Sequence, residues 1–177
     1  RELKLLRTYN TTRIQLGIQH IDDDVLEYIN RGCNLSHTIR SALLLKHNGF
    51  KIDWHLMPDL PGSNYEKDYE MFRKLLSHDK TYNYKNHIVY KLEYPELQTD
   101  QLKIYPCSTV DWTEIKEWYD NGEYKPYSED VNKLIALIIF IKTNMYPWIR
   151  INRIIRDIPN MNILGGNTCV HLHDVVL

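Results

Sequence analysis

The sequence predicts an α/β fold built on a parallel sheet, and three observations carry that prediction. Strand-length apolar runs alternate along the 177 residues with stretches of helical periodicity, the pattern of parallel strands joined by crossover helices. Two of the runs, His55-Leu56-Met57-Pro58-Asp59-Leu60-Pro61-Gly62-Ser63 and Lys103-Ile104-Tyr105-Pro106-Cys107, break into polar, Pro-bounded loops, and strand ends of that kind are where α/β folds keep their chemistry. The first strand leads straight into a carboxylate-capped helix, which makes a βα unit.

Taken in order, residues 13–19 alternate: Ile14, Leu16 and Ile18 face one way, and Gln15, Gly17 and Gln19 the other. Asp22, Asp23 and Asp24 then offer N-cap and first-turn carboxylates to a helix that Gly32 stops. From Ser36 the spacing of Ile39, Leu43 and Leu44 predicts a second amphipathic helix, ended by Asn48-Gly49 and followed by a strand over residues 50–57. Residues 63–77 read as a helix with Tyr65, Tyr69, Phe72 and Leu76 on its inner side. Residues 78–100, rich in Tyr, Lys and Asn and weak in periodicity, read as a surface excursion. A strand over 101–105 follows, then helices near 112–121 and 129–144, and an extended segment over 148–158 that ends at Pro159.

The chain is long enough for one ordinary domain, or for part of a larger one. With 22 Lys and Arg against 23 Asp and Glu, any nucleic-acid or membrane surface must be a local patch. Cys33, Cys107 and Cys169 lie far apart and form no C-x-x-C pair, which argues against a disulfide scaffold or a self-contained zinc site and for a reducing, cytoplasmic home. No signal segment opens the chain, and the longest apolar stretch, residues 134–141, is too short for a bilayer core of about 30 Å. A soluble protein is expected. Arg1 at the start and Val175-Val176-Leu177 at the end read as cut ends.

Parallel strands present functional side chains at their C-terminal ends, so Gln19, His55, Met57, Lys103 and Tyr105 are the candidates for one shared site. Alternation groups His55 with Met57 and Lys103 with Tyr105. A hydrogen-bonded buried histidine is the plain structural alternative for His55. Lys103, flanked by Leu102 and Ile104, must find an anion or reach outward to water. Pro58, Pro61 and Gly62 make a rigid turn that suits either ligand approach or simple punctuation. Arg150, Arg153 and Arg156, with Lys125, concentrate positive charge suited to phosphate backbones, against a solvated strand edge pairing with Glu129 and Asp157. Gly165-Gly166-Asn167 reads as a turn, and His171 and His173 with Cys169 fall short of a metal ligand set.

The strings Leu16-Gly17-Ile18-Gln19, Asn30-Arg31-Gly32, His55 to Ser63 as quoted above, Leu102-Lys103-Ile104-Tyr105-Pro106, Gly122-Glu123-Tyr124-Lys125-Pro126-Tyr127-Ser128 and Arg153-Ile154-Ile155-Arg156-Asp157-Ile158-Pro159 resemble, in order and approximate spacing, the radical S-adenosylmethionine domain of the catalytic subunit of Elongator. The resemblance spans nearly the whole chain. It implies an enzyme that places a carboxymethyl-type group on the wobble uridine of tRNA, using acetyl-CoA, S-adenosylmethionine and a 4Fe-4S cluster, with tRNA and other Elongator subunits as partners. It also implies a TIM-like partial (β/α) barrel, of which residues 1–159 would be the second half and residues 160–177 the start of a connection toward an acetyltransferase domain. By motif match, Gln19, His55, Met57, Lys103 and Tyr105 would face the adenosylmethionine or the target nucleotide, and Lys125, Arg150, Arg153 and Arg156 would lie toward tRNA.

The departures are specific. The three cysteines that hold the cluster in this family, spaced C-x9-C-x2-C, would lie before Arg1. Gln15 stands where the family more often has Glu, Cys33 where it often has His, and residues 78–100 are longer than the family norm. The chain by itself is therefore expected to be inactive. Two other readings share these features: a cluster-less tRNA-binding or scaffold remnant, and a radical enzyme of different substrate. A half barrel would also leave a sheet edge and helix faces uncovered, which predicts self-association.

Overall fold

The computed structural model describes residues 2–82, 85, 87–155, 158–169 and 172. Its strands are β1 (Arg13–Gln19), β2 (Lys51–Leu56), β3 (His78–Tyr82), β4 (Ile88–Leu92), β5 (Gln101–Ile104), β6 (Ser108–Thr109), β7 (Arg150–Ile154) and β8 (Gly165–Gly166). Its α-helices are α1 (Glu2–Thr8), α2 (Asp23–Tyr28), α3 (Leu35–His47), α4 (Tyr65–Leu76), α5 (Glu114–Asp120) and α6 (Val131–Asn144). Four strands form one sheet in the order β1-β2-β5-β7, every pair parallel, as alternation of strand and helix predicts.

Strand alternation splits that sheet into two unlike faces. Ile52, Trp54 and Leu56 of β2 and Leu102 and Ile104 of β5 are buried against Ala42 and Leu45 of α3, Met71, Phe72 and Leu75 of α4, and Leu137 and Ile141 of α6. Each such side chain contributes roughly 1.5–3 kcal/mol when fully buried, and a slip of one residue would turn the whole set outward. Register is thereby fixed, and Gln15, Asp53, His55, Gln101 and Lys103 must occupy the other face.

Helix starts are set by side-chain caps. Asp22 Oδ1 accepts from the Asp24 and Val25 amides, at 2.9 and 3.3 Å, to open α2, as the acidic run predicts. Asn34 and His37 close a capping box on α3, while Asn64 and Asp130 cap α4 and α6.

The inner stripes of two helices differ from the expectation. In α3 the buried residues are Thr38, Ala42 and Leu45, while Leu43 and Leu44 are exposed; small Ala42 lets the helix axis approach the sheet. In α4 Asp68, Met71, Phe72, Leu75 and Leu76 are buried and Tyr69 is partly exposed, because Asp68 has hydrogen-bond partners waiting beneath it.

Three further segments depart from the sequence reading. Residues 78–100 contain the antiparallel hairpin β3–β4, tied to the body where His78, Tyr90, Tyr146 and Trp148 meet ring to ring. Helix α1, which no periodicity announced, lays Leu3 and Leu6 on the core and sets the Arg7 guanidinium 4.2 Å over the Phe50 ring. Gly165-Gly166 is a strand paired with β6 rather than a turn. A Cβ on Gly165 would sit 2.6 Å from the Tyr119 ring, so glycine is there for close packing. Leu172 is buried against Leu134 and Ile138.

Candidate functional site

The site is the polar face of the sheet, built by register. Lys103 lies beside His55, and His55 beside Gly17. Lys103 Nζ donates to Gln15 Oε1 at 3.2 Å and stands 3.9 Å from Asp53 Oδ2. Asp53 is fully buried and also accepts from Asn152 Nδ2 at 3.0 Å. Asn152 reaches it because a β-bulge sets the next residue, Arg153, rather than Asn152 opposite Lys103. Gln101 accepts from Asn152 and, at 2.8 Å, from Arg13 Nη1. Lysine 103 thus finds the anion that its apolar flanks demand.

The polar face is under-satisfied along its length. His55 Nε2, Gln19 Oε1 and Asp53 Oδ1 are buried with no hydrogen-bond partner, a state that costs about 1–3 kcal/mol per group unless a ligand or water supplies the missing bond. Gln19 sits at a left-handed corner with φ of 65°. Its amide folds back over Gly17, with Nε2 2.9 Å from where a Cβ on that residue would lie. Glycine at 17 therefore makes room for the Gln19 amide next to His55. Tyr105 meets the His55 ring edge-on at 5.9 Å. Burial first, and then the Lys103 ammonium, hold the His55 imidazole below its ordinary pKa, with Asp53 pulling the other way.

The structure brings four of the five predicted pocket residues together: Gln19, His55, Lys103 and Tyr105. Met57 lies one residue past the end of β2 and packs against Val25, Leu60 and Cys107, so its alternation with His55 ends with the strand. The basic residues are not gathered into one cluster. Arg150 opens β7 at the N-terminal end of the sheet. Lys125 sits between Tyr124, whose hydroxyl donates to Asp59 O, and Tyr127, whose amide donates to Asp59 Oδ1, beside the loop after β2 at the opposite end. Arg153 stands in register with Lys103, and Arg156, like His171 and His173, lies outside the described residues. Asp53, Asn152 and Gln101 were missed. Asp53 and Gln101 share faces with His55 and Lys103 two residues away, a signal present in the alternation; the bulge that delivers Asn152 left none.

Burial pushes the Cys107 thiol up to about 12, with Asp59 and Asp68 adding to the shift, which unsuits it as a thiolate ligand. Among the described residues no group of three His, Cys, Asp or Glu side chains is placed to hold a metal ion, and no helix is long and apolar enough to cross a membrane.

A parallel sheet clothed by helices on one face, with unsatisfied polar groups on the other, has the architecture of one part of an α/β barrel. The family described as Radical SAM superfamily matches residues 1–75, and that described as Radical_SAM C-terminal domain matches residues 99–176. A tRNA uridine(34) acetyltransferase of Methanocaldococcus jannaschii is 36% identical over 176 residues, 99% of this chain and 29% of that protein. Elongator complex protein 3 of Homo sapiens is 33% identical over 178 residues, 100% of this chain and 29% of that protein. A solved structure of Methanocaldococcus infernus Elp3 with an N-terminus deletion superposes with a TM-score of 0.84 at 34% identity, covering 99% of this chain and 37% of that one. The chain belongs to the radical SAM superfamily and, within it, to the family of the Elongator catalytic subunit. It spans about three tenths of the length of the curated relatives it matches.

Proposed function

We propose that this chain is the second half of the radical barrel of a tRNA wobble-uridine carboxymethyl-modifying acyltransferase, its polar sheet face forming one wall of the pocket for S-adenosylmethionine and the target nucleotide. The observation that carries the reading is the pair of orphaned atoms, Gln19 Oε1 and His55 Nε2, at the C-terminal ends of adjacent parallel strands. They fit a ligand that brings a hydrogen-bond donor to Gln19 Oε1 and a hydrogen-bonding partner to His55 Nε2. Bound there, adenosylmethionine with its 4Fe-4S cluster would supply radical chemistry, and acetyl-CoA the acyl group. The cluster itself has no ligand set among the described residues, so its cysteines would come from elsewhere in the parent enzyme.

This chain's own residues bind and orient. His55, braced by Tyr105, presents Nε2 to the ligand; Gln19 presents Oε1 from the neighbouring strand. Lys103, fixed by Gln15 and Asp53, holds its ammonium beside His55. Lys125, Arg150 and Arg153 would meet tRNA phosphates as separate contacts. Residues 160–177 would begin the connection toward the acetyltransferase domain, and the parent would work in the cytoplasm, with Elongator subunits where such a complex is assembled.

The test is S-adenosylmethionine binding by calorimetry in the full-length polypeptide that contains this segment. Gln19→Leu and His55→Ala are each expected to weaken binding about tenfold, equivalent to roughly 1.4 kcal/mol. Affinity unchanged in both variants would overturn the pocket assignment.

A further inference from the structure

We infer that Asp68 is a positioning residue for this pocket, a buried carboxylate that ties together the loops after β1 and β2 and the segment before α6. The inference rests on the reading above that Gln19 and His55 face the ligand. Asp68 is 0% exposed in the first turns of α4. Its Oδ1 accepts from His20 Nε2 at 3.0 Å and Ser63 Oγ at 2.6 Å, and its Oδ2 from Tyr127 Oη at 2.7 Å and the Asp59 amide. Four donors fill the lone-pair sites of one carboxylate.

Two of the donors, His20 and the Asp59 amide, sit on the segments that leave β1 and β2. His20 Nδ1 accepts from the Asp22 amide at 2.9 Å, so its proton must sit on Nε2 and point at Asp68. His20 directly follows Gln19, whose φ of 65° lies where residues with a side chain rarely rest. The Asp59 amide, in a residue of φ 66°, anchors the turn that leaves β2. Between them, Met57 N donates to Gln19 O at 2.8 Å, which links the two corners. Removing the carboxylate releases both at once, and with them the direction of the Gln19 amide and the seat of His55.

A merely structural Asp68 would change stability and leave the affinity of the folded protein alone. In the full-length polypeptide, Asp68→Asn is expected to weaken S-adenosylmethionine binding about tenfold, to shift the His20 ring nitrogens in ¹⁵N spectra and to speed exchange of the Met57 amide. Tyr127→Phe and Ser63→Ala each delete one donor and keep the apolar body. They should weaken binding severalfold in graded fashion, and they carry the test if Asp68→Asn does not fold. Affinity within twofold of the parent in the folded variants would overturn the inference, provided His55→Ala itself weakens binding. Should His55→Ala leave binding intact, the pocket assignment fails separately, and Met57 protection decides: lost in Tyr127→Phe, it supports the tie; retained, it overturns it.

Discussion

Lys103 and Asp53 set the electrostatics of the site at the scale of single side chains. Lys103→Met leaves buried Asp53 with Asn152 as its remaining partner among the contacts described. Because the Nζ–Oδ2 separation is 3.9 Å and Lys103 keeps 20% of its side-chain surface, the cost should be roughly 1–3 kcal/mol, below that of a fully buried pair, measured by urea unfolding. The same substitution removes the cation that depresses His55 and leaves Asp53 to raise it, so the His55 pKa should move upward in an NMR titration. Asp59 gives a second prediction. Burial, against the hydrogen bonds from Ser128 and Tyr127 and with help from Asp68, raises its carboxyl from 3.8 to about 7. The folded state then holds the extra proton between those values. Its stabilising contribution is full below about pH 4 and is lost as pH rises through 7. Stability of the parent should therefore fall between pH 5 and 8 more steeply than that of Asp59→Asn, by on the order of 1–3 kcal/mol; parallel profiles would remove Asp59 as the cause. At this scale the sequence was informative about need and silent about partner: the apolar flanks of Lys103 demanded an anion, but naming Asp53 required the register of β2 against β5.

At the scale of elements, legibility tracked the strength of the local signal. The strands of the sheet and the Asp22 cap were readable because alternation and capping chemistry are written in neighbouring residues. The stripes of α3 and α4 were rotated from expectation because tertiary partners chose them: close approach chose Ala42 over the adjacent leucines, and a waiting donor set drew Asp68 inward. The β3–β4 hairpin left almost no period-two signal, since its described residues are largely exposed or half-buried on both sides; aromatic contacts from Tyr146 and Trp148 hold it. The β6–β8 pair shows what a glycine pair hides. Gly166 has φ of 98°, and a Cβ there would lie 2.9 Å from Cys107 O, a backbone atom with little freedom to move. Gly166→Ala should therefore lower stability by about 1–3 kcal/mol. A neutral substitution, seen as an unchanged melting temperature, would mean that this pair does not hold the segment in place.

At the scale of the whole molecule, the four-stranded sheet has two edges, β1 and β7, and among the described residues its apolar face carries the packed helices while its other face is polar. Parallel sheets are stable when both faces are covered, and open strand edges offer unpaired backbone groups to another chain. Arg13, Arg150 and Arg153 blunt those edges with charge, and the open face is polar rather than greasy, so the hazard is strand-to-strand pairing more than hydrophobic collapse. In the Methanocaldococcus infernus structure the matched region is 37% of a larger chain. The isolated 177-residue polypeptide is therefore expected to associate with itself in a concentration-dependent way, and salt that screens the arginines should promote it. Sizing chromatography with light scattering across a hundredfold range of concentration reads this directly. A compact monomer throughout, with a single cooperative unfolding transition, would show that the edges are protected within this chain and would count against its being one side of a divided barrel.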